Sequence, residues 1–313
     1  MLESWRHLCQ VYPWLQSIWD ALGIIIPLSC MLAFAGAVFI SALAKIIYVS
    51  QKRASFNKCS RQIGMLALIL GWALMIGGRI WLYLNPHESG TLENFLLEMS
   101  WLLLSLGVLL TTIYYTFWKI LVNMPVLHVT IGMISAVQNC LALACILFTI
   151  RISAGISVVD ADSLKLPELF PQAWNAPLWN ACAYTLPLIF AYAGAFSACW
   201  VAFRRKFDNF GRDYYNQMLP WCAKWARNSW IILWLIFAAA SATQLYYARS
   251  DEDRLMEDLL LEGTRLLFWL LPLLLWIMAA RSAIPMRHRL SLILALVLAS
   301  TFSLPYFLDL TLI

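Results

Sequence analysis

Histidine is scarce in this chain: four in 313 residues, at positions 7, 87, 128 and 288. None sits at the centre of an apolar run, so a bis-histidine haem between membrane helices has no ligands. The eight cysteines form no Cys-x-x-Cys pair and no Cys-x-x-Cys-His, which removes zinc ribbons and covalently attached haem. A Gly-rich phosphate loop and His-Glu-x-x-His are missing too, so the chain has none of the common signatures of nucleotide-binding or zinc-hydrolase chemistry. Charge is also sparse, at 12% of residues against 62% hydrophobic. A soluble domain of this length has about twice that charge, so the sequence reads as a polytopic membrane protein with lipid as its first partner.

The apolar runs predict an all-α membrane fold of eight spans, at 21–49, 63–84, 98–121, 127–150, 178–203, 229–247, 264–281 and 288–311. Each approaches or exceeds the roughly 20 residues that cross a hydrocarbon core as helix. Helices are required because lipid leaves no other partner for the backbone, and no barrel-strand alternation is present. Lys and Arg collect in the connections after spans one, five and seven, while acids collect after spans two, four and six. That asymmetry places the basic connections in the cytoplasm and both termini outside, in the periplasm if the membrane is a bacterial inner membrane. The +5 net charge follows from this bias and gives no reason to expect nucleic acid.

A skeleton recurs half a chain apart. Glu93 and Glu98 open one apolar segment and Pro125-Val-Leu-His128 opens the next; Glu257 and Glu262, then Pro285-Met-Arg-His288, repeat the pattern. Ala33-Phe-Ala-Gly36-Ala is matched by Ala191-Tyr-Ala-Gly194-Ala. A unit of four spans keeps its orientation when duplicated, so the repeat is parallel. The expected organisation is an amphipathic outer segment at 1–20, a first four-helix unit at 21–150, an outer connecting loop at 151–177 and a second four-helix unit at 178–313. Cys9 and Cys182 fall on the outer side, where they could pair.

Few ionisable groups lie near the spans, and such groups often mark substrate or proton paths. Arg79 near the end of span two and Glu98 near the start of span three should meet as an ion pair, beside Trp101. The second-half equivalents are Glu262, with Arg265 three residues on, and His288. His128, between Leu127 and Val129, is the stronger functional imidazole. His288, between Arg287 and Arg289, looks solvated. The alternative reading is that these groups only hold helix ends at headgroup depth. No metal site is read from the residues.

Ile113-Tyr-Tyr-Thr-Phe-Trp118-Lys through His128-Val-Thr-Ile-Gly132, with Pro27-Leu-Ser and Met31-Leu-Ala-Phe34, resembles subunit I of cytochrome bd quinol oxidases and its diverged relatives. The resemblance covers about 130 residues. It implies a quinol-handling respiratory subunit in which Glu98 falls on a haem-site acid of the third helix. The family's first-helix histidine would fall near Leu22 and its fifth-helix haem ligand is missing, which implies that the oxygen-reducing haems are lost and leaves any haem open. In layout the chain is also similar to the haem-free quinol-interacting anchors of polysulfide and dimethyl sulfoxide reductases. The expected function is thus an integral subunit of a bacterial respiratory electron-transfer complex that binds menaquinone or ubiquinone, with Glu98 as the catalytic carboxylate and Arg79, Trp101 and His128 around the quinone. Cytochrome or iron–sulfur subunits would be its partners. Two alternatives stand beside it: a secondary transporter or permease using Gln138 and Asn139, and a non-catalytic anchoring subunit.

Overall fold

The computed structural model describes residues 13–84, 91–121, 123–153, 177–248 and 252–303. Every regular element among them is helical: α1 Pro13–Gln51, α2 Ala54–Leu84, α3 Thr91–Thr116, the single turn α4 Trp118–Leu121, α5 Pro125–Ser153, α6 Pro177–Arg204, α7 Arg212–Ala248, α8 Glu252–Arg281, a 3-10 turn Pro285–His288 and α9 Arg289–Phe302. Six helices are long and apolar enough to cross a membrane: those over Ala21–Gln51, Ala54–Leu84, Asn94–Thr116, Pro125–Thr149, Cys182–Arg204 and Leu259–Arg281. They make this a multi-pass membrane protein in contact with lipid. The expected spans six and eight correspond to α7 and α9, which are not among the six. The described part of α9 has 14 residues, about 21 Å of helix, and residues 304–311 of that expected span lie outside the described residues.

Of the outer segment expected at 1–20, residues 1–12 lie outside the described residues. From Pro13 the chain is already α1, which continues unbroken through Pro27 to Gln51. Most of the connecting loop 151–177 lies outside the described residues, as do both chain termini and Cys9; Cys182 is exposed.

Contacts close each half into a ring. In the first, α1 packs on α2 and α5, and α3 packs on α2 and α5; in the second, α6 packs on α7 and α9, and α8 packs on α7 and α9. The rings meet chiefly through α1 against α6. Gly36 makes this seam possible: a Cβ built there would stand 2.7 Å from Ala193 Cβ and 2.8 Å from the Ile189 carbonyl oxygen. Lipid gives no hydrophobic drive for helices to associate, so close backbone approach through small residues supplies the attraction. Its counterpart Gly194 faces elsewhere, into α7, where a Cβ would lie 2.5 Å from Ala226 N and 3.0 Å from the Cys222 carbonyl oxygen.

In α8, which contains Pro272, Trp230 Nε1 donates to the Trp269 carbonyl at 2.8 Å and Trp234 Nε1 to the Leu266 carbonyl at 3.1 Å. These indoles tie α7 to the turns before the proline. The rings of Trp230 and Trp269 also stack, 4.9 Å apart.

The end of the molecule that carries the basic connections, here called the basic end, is latched by polar groups. Gln62 of α2 donates to Asp208 at 2.9 Å, and its Oε1 accepts from Tyr214 at 2.6 Å. Arg204 grips the same carboxylate with two bonds of 2.7 and 2.8 Å, and Tyr215 donates to the Asp208 carbonyl. Gly211, at φ +88°, takes the left-handed turn into α7 that other residues adopt only at a cost. Partial burial pushes the Asp208 carboxyl upward, but the bonds from Arg204 and Gln62 and the charges of Arg204 and Arg61 outweigh it and hold the group below its ordinary value. A carboxyl depressed in the fold contributes stability above its unfolded pKa of about 4 and loses it as pH falls through the folded value. Acid titration of thermal unfolding should therefore show a loss below about pH 4 that Asp208→Asn flattens. An unchanged acid limb in that variant would remove the latch from the account.

Candidate functional site

At the opposite, acidic end, α2 and α3 bring Arg79 and Trp101 together. The Arg79 guanidinium carbon stands 4.7 Å from the centre of the Trp101 ring, a cation–π contact worth about 0.5–2 kcal/mol. The indole can lie there because α2 has no side chain at Gly78: a Cβ at that position would be 2.7 Å from Trp101 Cη2. The expected Arg79–Glu98 ion pair is not formed; the guanidinium lies against the Trp101 ring instead. Glu98, one turn before Trp101 on α3, is exposed, and among the described residues it has no ion-pair partner. Trp101 Nε1 is buried and has no acceptor among the described residues. A cation, an indole donor without a partner and an unpaired carboxylate thus share one helix end.

The second-half acid is held differently. Glu262 accepts a 2.6 Å hydrogen bond from Ser241 Oγ of α7 and faces Arg265 Nη1 at 3.6 Å. With 15% of its side chain exposed, it joins α7 to α8. His288 ends the 3-10 turn, half-buried, and makes no capping bond to α9.

His128 is fully buried. The helix α3 stops at Thr116, α4 makes one turn, and Pro125 starts α5. A helix end leaves carbonyls unbonded, and His128 Nε2 meets one of them, Tyr114 O, at 3.1 Å. A carbonyl only accepts, so Nε2 carries the proton in this bond and the neutral ring leaves Nδ1 without a partner among the described residues. Tyr114 and Trp118 cover the imidazole at centroid distances of 4.6 and 4.5 Å. The structure therefore sets His128 at the basic end, far along α3 from Trp101, inside a sealed aromatic corner.

Sequence reasoning missed the rest of that corner. Lys45 is 1% exposed, donates to Asn57 Oδ1 at 2.8 Å and lies 4.7 Å from the Trp118 ring. Tyr114 OH meets Ser41 Oγ at 2.9 Å and Ser60 Oγ at 3.3 Å. The serines also bond each other's backbone carbonyls, at 2.6 and 2.7 Å. The available signal was spacing: Ser41 and Lys45 lie four apart, on the same face of α1.

Gln138 and Asn139 face α3. Gln138 donates to the Leu103 carbonyl at 3.0 Å, and Asn139 Nδ2 stands 3.4 Å from Thr111 Oγ1, which meets Ser135 Oγ at 2.9 Å. Inside the second ring, Tyr192, Trp230, Trp276, Leu296 and three alanines pack around a crevice with no room for a water-sized molecule, so it is not a ligand pocket of the ordinary ~300 Å³. Among the described residues no three His, Cys, Asp or Glu side chains gather as metal ligands. No family model matches this chain, and neither a curated protein nor a solved structure matches it.

Proposed function

We propose that this chain is an integral subunit of a bacterial respiratory electron-transfer complex, handling quinol or quinone where Arg79, Glu98 and Trp101 meet. The observation that carries the reading is the buried, unpartnered Trp101 Nε1 beside an unpaired carboxylate. A quinone carbonyl is an acceptor that such a donor lacks, and burying a donor without one costs about 1–3 kcal/mol. Oxidation of a quinol releases two protons with two electrons. In this reading Glu98, on the same helix face, accepts one proton as general base, the second passes to water at this helix end, and the two electrons pass to a haem or iron–sulfur centre of a partner subunit. Arg79, free of Glu98, keeps its charge available to the oxygen of the bound ring.

In this reading the chain crosses a bacterial inner membrane eight times, as two parallel four-helix repeats with both termini in the periplasm. The matched motifs and the identical ring of contacts in each half support the repeat, and the clustering of Lys and Arg at one end supports the orientation. The resemblance to cytochrome bd subunit I supports a quinol substrate. His128 is reassigned from the quinone site to a helix-capping role, and the second-half acid Glu262 to helix pairing. A permease reading draws less support, because Gln138 and Asn139 bond α5 to α3.

Glu98→Gln should lower quinol oxidation by the assembled complex about a hundredfold or more, the scale of a lost general base, while Glu262→Gln leaves turnover within a few-fold. Trp101→Phe should weaken quinone binding, read by titration of the purified protein. Unchanged binding and turnover in Glu98→Gln would leave only the anchoring role.

A further inference from the structure

The basic end holds a second surface that the quinone reading does not use. Residues 52–61 and 204–213 contain eight cations and two acids. The fold merges these distant stretches: Ser55 Oγ donates to Gln217 Oε1 at 2.9 Å, Lys58 Nζ lies 4.8 Å from the Phe210 ring, and Gln62 bonds Asp208. Asp208 is already engaged by Nε and Nη2 of Arg204, so Lys58, Arg61, Arg205 and Arg212 stand exposed with Asp213, in the first turn of α7, as the other acid of the two stretches. Both α2 and α7 begin at this seam, and their free N–H groups add to the positive potential. Beside the cations, Phe203 and Phe207 are 51% and 66% exposed with ring centroids 5.4 Å apart.

We propose that this seam between the two four-helix units is a binding site for the phosphodiester headgroup of an anionic phospholipid. Guanidinium groups bond phosphate oxygens in pairs, and basic clusters between membrane helices at the cytoplasmic face take such headgroups. The two phenyl rings, Phe203 in the last turn of the membrane helix α6 and Phe207 in the turn that follows it, offer apolar area for the glycerol and upper acyl chain, which an acidic soluble partner would not use.

The test is native mass spectrometry of the purified full chain with added phosphatidylglycerol or phosphatidylcholine of identical acyl chains. Retention of phosphatidylglycerol should exceed that of phosphatidylcholine by roughly tenfold or more, as several juxtamembrane cations allow. Lys58→Gln/Arg61→Gln/Arg205→Gln/Arg212→Gln should abolish the preference, whereas Arg281→Gln/Arg287→Gln/Arg289→Gln, at the same end but on another connection, should keep it. Equal retention of the two lipids, or equal loss in both variants, overturns the site and leaves an acidic protein as the partner of this face. Should the fourfold variant fail to fold, a wild-type preference that does not weaken with added salt also overturns it, because such exposed charge is screened.

Discussion

Gly194→Leu is expected to disrupt the second four-helix unit, with the largest loss of thermal stability of any single glycine replacement in the described helices. The obstruction is backbone: the new Cβ would meet Ala226 N at 2.5 Å and the Cys222 carbonyl oxygen at 3.0 Å, and neither can rotate away. Overpacking a core commonly costs about 1–3 kcal/mol, and forcing α6 from α7 should exceed that range. Gly36→Leu should act on the seam between the rings instead, through Ala193 and Ile189. Gly77→Leu is the control, because nothing lies within 4 Å of a Cβ there and leucine is the better helix former by up to about 1 kcal/mol. Thermal unfolding in detergent, followed by loss of the monodisperse peak, ranks the three. If Gly77→Leu loses as much as Gly194→Leu, close packing is not what these glycines provide.

Tyr114→Ala should cost about 3–5 kcal/mol, the range for removing a large aromatic side chain from a core. The ring is slotted between two glycines: a Cβ at Gly64 would be 3.3 Å from Tyr114 Cε1, and one at Gly132 would be 2.8 Å from Cε2. Its hydroxyl meets Ser41 and Ser60, and its carbonyl takes the His128 bond. Tyr114→Phe keeps the ring and the carbonyl, and the two serines keep their reciprocal bonds, so the loss should be near 1 kcal/mol. Equilibrium unfolding separates the two variants. Equal losses would mean that the hydroxyl, and not the filled volume, holds α1, α2, α3 and α5 together.

Much of the fold was legible because lipid imposes a one-dimensional rule. A run of some 20 apolar residues must be helical, and six of the runs read from the sequence are helices of that kind. The small-residue stretches around Gly36 and Gly194, legible as a repeated motif, are buried in the structure. Which neighbour each glycine meets was not legible. The motifs match, yet one packs on α6 and the other on α7, because helix rotation depends on every side chain around it.

The candidate site shows the same division. Arg79 and Trp101 were expected at one helix end and are found in contact. Glu98 lies in that stretch as well, but its pairing with Arg79 failed, since a charge pattern does not register that Gly78 opens room for an indole. Arg265 does face Glu262, because a three-residue spacing on one helix is local geometry. Lys45, a cation inside the first expected span, is nearly buried; its burial needs Asn57 and Trp118, 12 and 73 residues away.

Composition and periodicity by themselves determined that the chain is helical, membrane-embedded, basic at one end and acidic at the other, since these follow from solvation and from spacing along one strand of chain. Only the tertiary structure decided that Trp101 takes Arg79 from Glu98, that His128 closes a helix end, and that two distant basic stretches become one surface. Those outcomes depend on which helix faces meet, and such contacts arise between residues whose separation in sequence carries no trace of their proximity.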